Sequence, residues 1–269
     1  MNKRESMRCL LFTLHVFICT KPAAGLAQIQ DNSFLVEEAY NQERGVVQHV
    51  GTFERSRAGD WVFGFSQEWP LGGIRHQFSY RLAIASVEGL GTGLGDVEVN
   101  YRYQLVGNPE ANTVMAPRFT LILPVGSSDE GLGAGAVGFG VGLPLTLVIN
   151  DQLVSHWNAG GTFVPSTRNL VGDQATTATL NLGGSLVWLL SPSFNLLVEA
   201  LWNSRESVVG DGRTVREELW RLNPGFRAAI DVSSDLQVVP GFAYTLGLGP
   251  AGEEDGVFIY LSLEHPFKH

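Results

Sequence analysis

Beyond residue 19 the chain contains no cysteine, and nowhere does it hold an apolar run long enough for a membrane helix. The first absence excludes a disulfide framework from the exported protein argued below, so other contacts must stabilise it. The second excludes helical membrane spans. A spanning helix needs about 20 apolar residues, and the longest candidate after residue 27, Val137 to Ile149, has 13 and includes four Gly or Pro. Charge is also scarce. Asp, Glu, Lys and Arg make up 17% of the chain, against roughly 25% in ordinary soluble domains. Basic residues are outnumbered 18 to 27, which leaves no basic face for nucleic acid. What is present is apolar residues, 44%, too many for a disordered chain, and 32 glycines without a G-X-Y period, which exclude collagen and predict tight turns.

Residues 1–27 have the form of a cleavable signal peptide. Lys3, Arg4 and Arg8 precede the apolar stretch Cys9 to Cys19, and Gly25-Leu26-Ala27 supplies the small-residue cleavage site. An apolar stretch of eleven, interrupted by His15, is too short for an anchor. Removing four basic residues (Lys3, Arg4, Arg8, Lys21) and one acidic (Glu5) leaves 14 basic against 26 acidic, a charge of −12.

The exported part alternates with period two. Val97, Val99, Tyr101 and Tyr103 face opposite Glu98, Asn100, Arg102 and Gln104, a pattern that scatters on a helical wheel and so reads as strand. Twelve such stretches run from Val46–Phe53 to Val257–Leu263. Connections at 71–73, 107–112, 150–151, 191–193 and 231–234 are short. Those at 85–93, 126–134, 165–176, 204–216 and 247–255 are long, with only 55–59 brief among them. Alternating short and long connections are the pattern of a membrane barrel, with tight periplasmic turns and longer external loops. Aromatic spacing agrees. Trp61 and Trp69 lie eight residues apart on one strand face, as do Phe194 and Trp202. Eight residues span roughly 27 Å, or about 21 Å of height at a tilt near 40°, close to the apolar band between two aromatic girdles. The expected fold is therefore all-β: a single transmembrane antiparallel up-and-down β-barrel of about 12 strands over 44–269, both termini periplasmic. Pro117, Pro144, Pro224 and Pro240 fall inside these strands and suggest bulges.

Several stretches resemble one family. GLGDVEVNYRYQLV (93–106), APRFTLILPVG (116–126) and HWNAGGTFVP (156–165), with NSFLVEEAYNQERGVVQHV (32–50) and FSQEWPL (65–71), are similar to the outer-membrane proteins of the MetA-pathway of phenol degradation family. The resemblance implies an outer-membrane barrel moving small, aromatic or apolar compounds. It carries over no functional residues.

Catalytic constellations are weak. None of His49, His76, His156, His265 and His269 has the serine two residues on that an outer-membrane phospholipase would need. The acidic groups Asp129-Glu130 and Glu253-Glu254-Asp255 lack Ca²⁺-loop spacing, and the glycine runs at 89–96 and 131–140 lead into no helix. No catalytic residue, metal or cofactor is expected.

Parity sends Glu68, Arg75, Arg81, Glu98, Arg102, Arg118, Glu199, Arg221, Arg227 and Glu264 to the lumen, where they must pair or meet water. Glu98 and Arg102 lie about 13 Å apart along one strand, so each needs a partner on a neighbouring strand, with Arg81 and Arg118 available to Glu98. Residues 28–43 precede the barrel. Asp31-Asn32-Ser33 could cap a short helix carrying Glu37 and Glu38, and the apolar side chains around them need burial. The lumen's excess arginines would attract Glu37, Glu38 and Glu43, which makes this segment a candidate plug. Two functions compete: a channel or transporter for a small-molecule solute, and a structural or interaction barrel with a closed lumen. A lipid-modifying enzyme stands third. All place the protein in the outer membrane of a Gram-negative envelope, in contact with its lipid.

Overall fold

The structure, a computed structural model, describes residues 33–233, 235–249 and 255–267; the signal-peptide stretch 1–27 lies outside them. The alternating stretches form β1 (Val46–Ser56), β2 (Trp61–Pro70), β3 (His76–Val87), β4 (Gly91–Leu94), β5 (Val97–Tyr103), β6 (Thr113–Met115), β7 (Arg118–Leu123), β8 (Gly138–Asn150), β9 (Leu153–Arg168), β10 (Gln174–Ser191), β11 (Phe194–Gly210), β12 (Arg213–Ala228), β13 (Ile230–Ser233), β14 (Leu236–Leu248) and β15 (Gly256–Pro266). Three wall strands are interrupted. Both β4 and β5 pair β3, both β6 and β7 pair β8, and both β12 and β13 pair β14, so the wall has twelve strands. Every pairing is antiparallel, and β1 closes the ring on β15 from Val46↔Pro266 to Ser56↔Gly256. Closure leaves no sheet edge, as a wall standing in hydrocarbon requires.

The pleat then sorts the side chains. Outward positions are apolar and bare: Phe119 and Val141 are 59% exposed, Leu182 52% and Trp157 51%, whereas the inward Arg102 is 2% exposed and Glu199 and Arg227 are 0%. A continuous exposed apolar wall around a polar interior suits lipid and not water. Trp61, Trp69, Phe194 and Trp202 all stand on the outer wall. The Trp61 ring lies 6.0 Å from Phe53 and the Trp202 ring 6.3 Å from Trp220, both tilted, while Trp69 stacks on Phe78 (5.9 Å) and Phe194 on Phe226 (6.0 Å).

Three of the expected long connections are mostly strand. β3 and β4 reach Val87 and Gly91, β9 and β10 reach Arg168 and Gln174, and β11 and β12 reach Gly210 and Arg213, leaving only turns where loops were expected over 85–93, 165–176 and 204–216. The Ser, Thr, Arg and Glu in these stretches keep their cross-strand partners, for example Arg216–Glu206 at 2.8 Å and Arg205–Glu217 at 3.4 Å. The loss of apolar residues marks where the strands leave the belt, and the ladder continues past it. The stretch 124–137 is a true loop, folded by Asp96, whose two carboxylate oxygens accept from the backbone N–H of Gly126 (3.0 Å) and Ala134 (2.7 Å). Of the prolines, Pro117 falls in the break between β6 and β7, but Pro144 and Pro240 sit in paired ladder opposite Asn158 and Leu261, so proline does not mark a bulge at every site.

Candidate functional site

Residues 33–42 lie inside the ring of strands. They form no helix, contrary to the expectation for Asp31-Asn32-Ser33; Asp31 and Asn32 fall outside the described residues, and the Ser33 hydroxyl meets that of Ser185 at 2.5 Å. The reason is that the wall supplies what a helix would: each buried N–H needs an acceptor, and inward side chains provide it. One carboxylate oxygen of Glu199 accepts from three successive N–H groups, those of Phe34 (3.0 Å), Leu35 (2.8 Å) and Val36 (2.9 Å). Its other oxygen accepts from the Asn223 amide at 2.7 Å. Asn158 accepts from the Glu37 N–H and donates to the Glu37 carbonyl, both at 2.7 Å. The Thr146 hydroxyl takes the Ala39 N–H (2.9 Å), Gln104 that of Asn41 (3.3 Å) and Gln77 that of Gln42 (2.7 Å). These partners belong to β11, β9, β8, the residue just after β5, and β3, so the segment follows the inner wall through much of its circumference.

Apolar contacts fix the start of the segment. The Phe34 ring sits 5.5 Å from Phe258 and 5.2 Å from Tyr260, between two apolar patches of the inner wall. Gly241 makes room for it, since a Cβ there would come within 2.5 Å of the ring.

Ion pairs fix the middle. Arg102 donates through Nε to Asn41 (2.8 Å), through Nη1 to the Glu37 carboxylate (2.9 Å) and the Glu38 carbonyl (3.1 Å), and through Nη2 to Gln77 (3.1 Å) and the Tyr40 carbonyl. The Glu38 and Glu68 carboxylates stand 3.6 and 3.9 Å from the same guanidinium. The second oxygen of Glu37 lies 2.6 Å from Arg118 Nη1. A buried arginine with this many acceptors holds both the charge and the path of the segment. Toward the end of the barrel away from Val46 and Pro266, the lumen keeps a cavity of about 230 Å³ lined by Phe34, Leu35, Phe258, Glu54 and Arg81; a smaller one of about 70 Å³ lies beside Glu37, Glu98 and Arg118.

A polar lumen crossed by an internal segment is the setting in which solved barrels can be compared. The chain is similar to an outer-membrane channel from Pseudomonas putida F1, with a TM-score of 0.61 and 14% identity, over 85% of this chain and 98% of that one. It is also similar to the NanC porin, with a TM-score of 0.53 and 11% identity, over 83% of this chain and 100% of that one. At these identities the likeness is one of fold. No protein-family model and no curated relative matches the sequence.

The residues singled out by parity fall as follows. Glu98 meets Arg81 directly across β3 and β5, at 3.8 Å. Glu68 accepts from the Gln77 amide, Glu264 from Gln48 at 2.5 Å, and Arg221 donates to Glu54 at 3.1 Å. Arg227 is fully buried beside Gly241. Arg75 does not line the lumen: it lies exposed in the turn before β3, because β3 begins at His76 and the inward alternation begins with Gln77. Glu43 is likewise exposed, at the rim, and only Glu37 and Glu38 reach the arginines. Sequence reasoning missed Gln77, Gln104, Thr146 and Asn158. The available signal was a recurrence of amides and hydroxyls at inward positions of successive strands, groups able to bind a backbone.

Proposed function

We propose that the chain is an outer-membrane channel of the MetA-pathway of phenol degradation family, exported by its signal peptide, that passes small molecules once residues 33–42 yield the lumen. The observation that carries this reading is the way the segment is held. Its backbone is bound by wall side chains and its carboxylates by Arg102 and Arg118, while polar walls and a cavity continue beyond it. The barrel fold shared with the Pseudomonas putida channel supports the reading. The apolar lining around Phe34 and Phe258 suits solutes with an aromatic or aliphatic body.

The competing reading, a closed structural barrel, draws on the hairpins β9–β10 and β11–β12, whose polar ends carry their own ion pairs. Removal of residues 28–43 separates the two. In liposome swelling the shortened barrel is expected to admit solutes of sugar size at least tenfold faster than the full chain. Equal rates from two correctly folded barrels would support the structural role.

A further inference from the structure

We propose that the Glu37 side chain occupies a carboxylate-binding site, and that the solutes of this channel are small monocarboxylate anions with an apolar body, which displace it. The inference rests on the channel reading above and names its solute class.

Glu37 is held as a ligand would be. One carboxylate oxygen meets Arg102 Nη1 at 2.9 Å and the other meets Arg118 Nη1 at 2.6 Å, so a single carboxylate bridges two guanidinium groups. Two arginines converging on two oxygens define a carboxylate by geometry as well as by charge. The two arginines differ. Arg102 is 2% exposed and its donors are taken by the segment and Gln77, whereas Arg118 is 33% exposed and Glu37 24%. The carboxylate can therefore be reached from the smaller cavity, which Glu37 and Arg118 line. Arg118's buried Nε–H makes no hydrogen bond among the described residues, so its hold on the segment is the contact through Nη1. The other acid at this place, Glu98, is drawn aside by Arg81 at 3.8 Å. Around the carboxylate the smaller cavity offers apolar surface from Ile122 and Pro144 beside the polar Thr120 and Asn158. A solute with a charged head and a short apolar body matches that division.

The site is self-inhibited by tethering. A carboxylate on a held segment acts at an effective concentration of millimolar or more, so a free one competes poorly until the tethered one is removed. Exchange of one carboxylate for another conserves the ion pairs and frees the middle of the segment, which couples solute binding to opening.

Binding of butyrate and of its neutral isostere butyramide to the detergent-solubilised full chain, measured by titration calorimetry, tests this directly. Wild type is expected to bind butyrate weakly, and Glu37→Gln at least tenfold more tightly. Butyramide should show no such gain, and Arg118→Met in the Glu37→Gln background should abolish the butyrate gain. Glu37→Ala serves as a second vacated clamp should the glutamine hold its place, with the barrel's heat-modifiable mobility checking the fold of each variant. Unchanged butyrate affinity in both Glu37 variants, or an equal gain for butyramide, overturns the assignment. If removal of residues 28–43 still raises flux in that case, the solute class fails and the channel stands. If butyrate tightens but removal leaves flux unchanged, the site holds and the channel reading fails.

Discussion

Glu199→Ala is expected to release residues 33–36 from the wall and convert the barrel to a largely open state. One oxygen of this carboxylate takes three backbone N–H groups at 2.8–3.0 Å, and alanine leaves all three donors buried without it. Each buried donor left unsatisfied costs about 1–3 kcal/mol. A combined loss of about 4 kcal/mol shifts a closed-to-open ratio roughly a thousandfold. The Asn223 amide loses its acceptor as well. The wall keeps its ladder, so the effect falls on the segment and not on the barrel. Limited proteolysis reads it: cleavage within 33–42 should be slow in wild type and rapid in Glu199→Ala. Glu199→Gln, which retains one acceptor oxygen, should lie between them. Full protection in the alanine variant would mean that Phe34 and the ion pairs suffice to hold the segment.

Arg102→Met should act at the other end with similar force. The substitution approximates the side chain's volume but leaves the carboxylates of Glu37, Glu38 and Glu68 facing one another without the guanidinium that stands 2.9–3.9 Å from them. Breaking a buried pair by deleting one partner costs about 3–5 kcal/mol. Arg102→Lys is not expected to rescue it, because one ammonium cannot serve Asn41, Gln77 and the carbonyls of Glu38 and Tyr40 together. Adding Glu37→Gln and Glu38→Gln to Arg102→Met should restore part of the protection by removing the charges left over. The three changes will therefore not add. Equal loss of protection with and without the two glutamines would show that hydrogen bonds to Arg102, and not its charge, hold the segment.

The wall was legible because its signal is local. Alternation in stretches such as Val97–Tyr103 fixes both the strand and the face, and Glu98, Arg102, Arg118 and Glu199 take the inward side that parity assigns them. The ends of strands were less legible. Over Ser204–Arg216 the outward face turns polar, so the contrast between faces disappears while the ladder goes on, and a strand there reads as a loop. Arg75 illustrates the same limit at a turn, where parity has no meaning until the first ladder residue is known. The route of residues 33–42 was hidden for a different reason. Composition and charge drew attention to Glu37 and Glu38, but the acceptors that set the path come from strands far apart in sequence: Gln77, Gln104, Thr146, Asn158 and Glu199. No spacing within any one of these strands marks them as a set.

The central claim is that residues 33–42 close the lumen by occupying it and open it by leaving. The chain has no cysteine beyond residue 19, so in a chain beginning at residue 28 a pair introduced as Ser33→Cys and Ser185→Cys, where the two hydroxyls lie 2.5 Å apart, can be joined without competition. Placed in a Glu199→Ala barrel in planar bilayers, this pair makes the segment's position a matter of redox state. The account predicts low conductance when the disulfide is formed and high conductance, reversibly, after reduction. The same conductance in both states, with disulfide formation verified by mass, would contradict it.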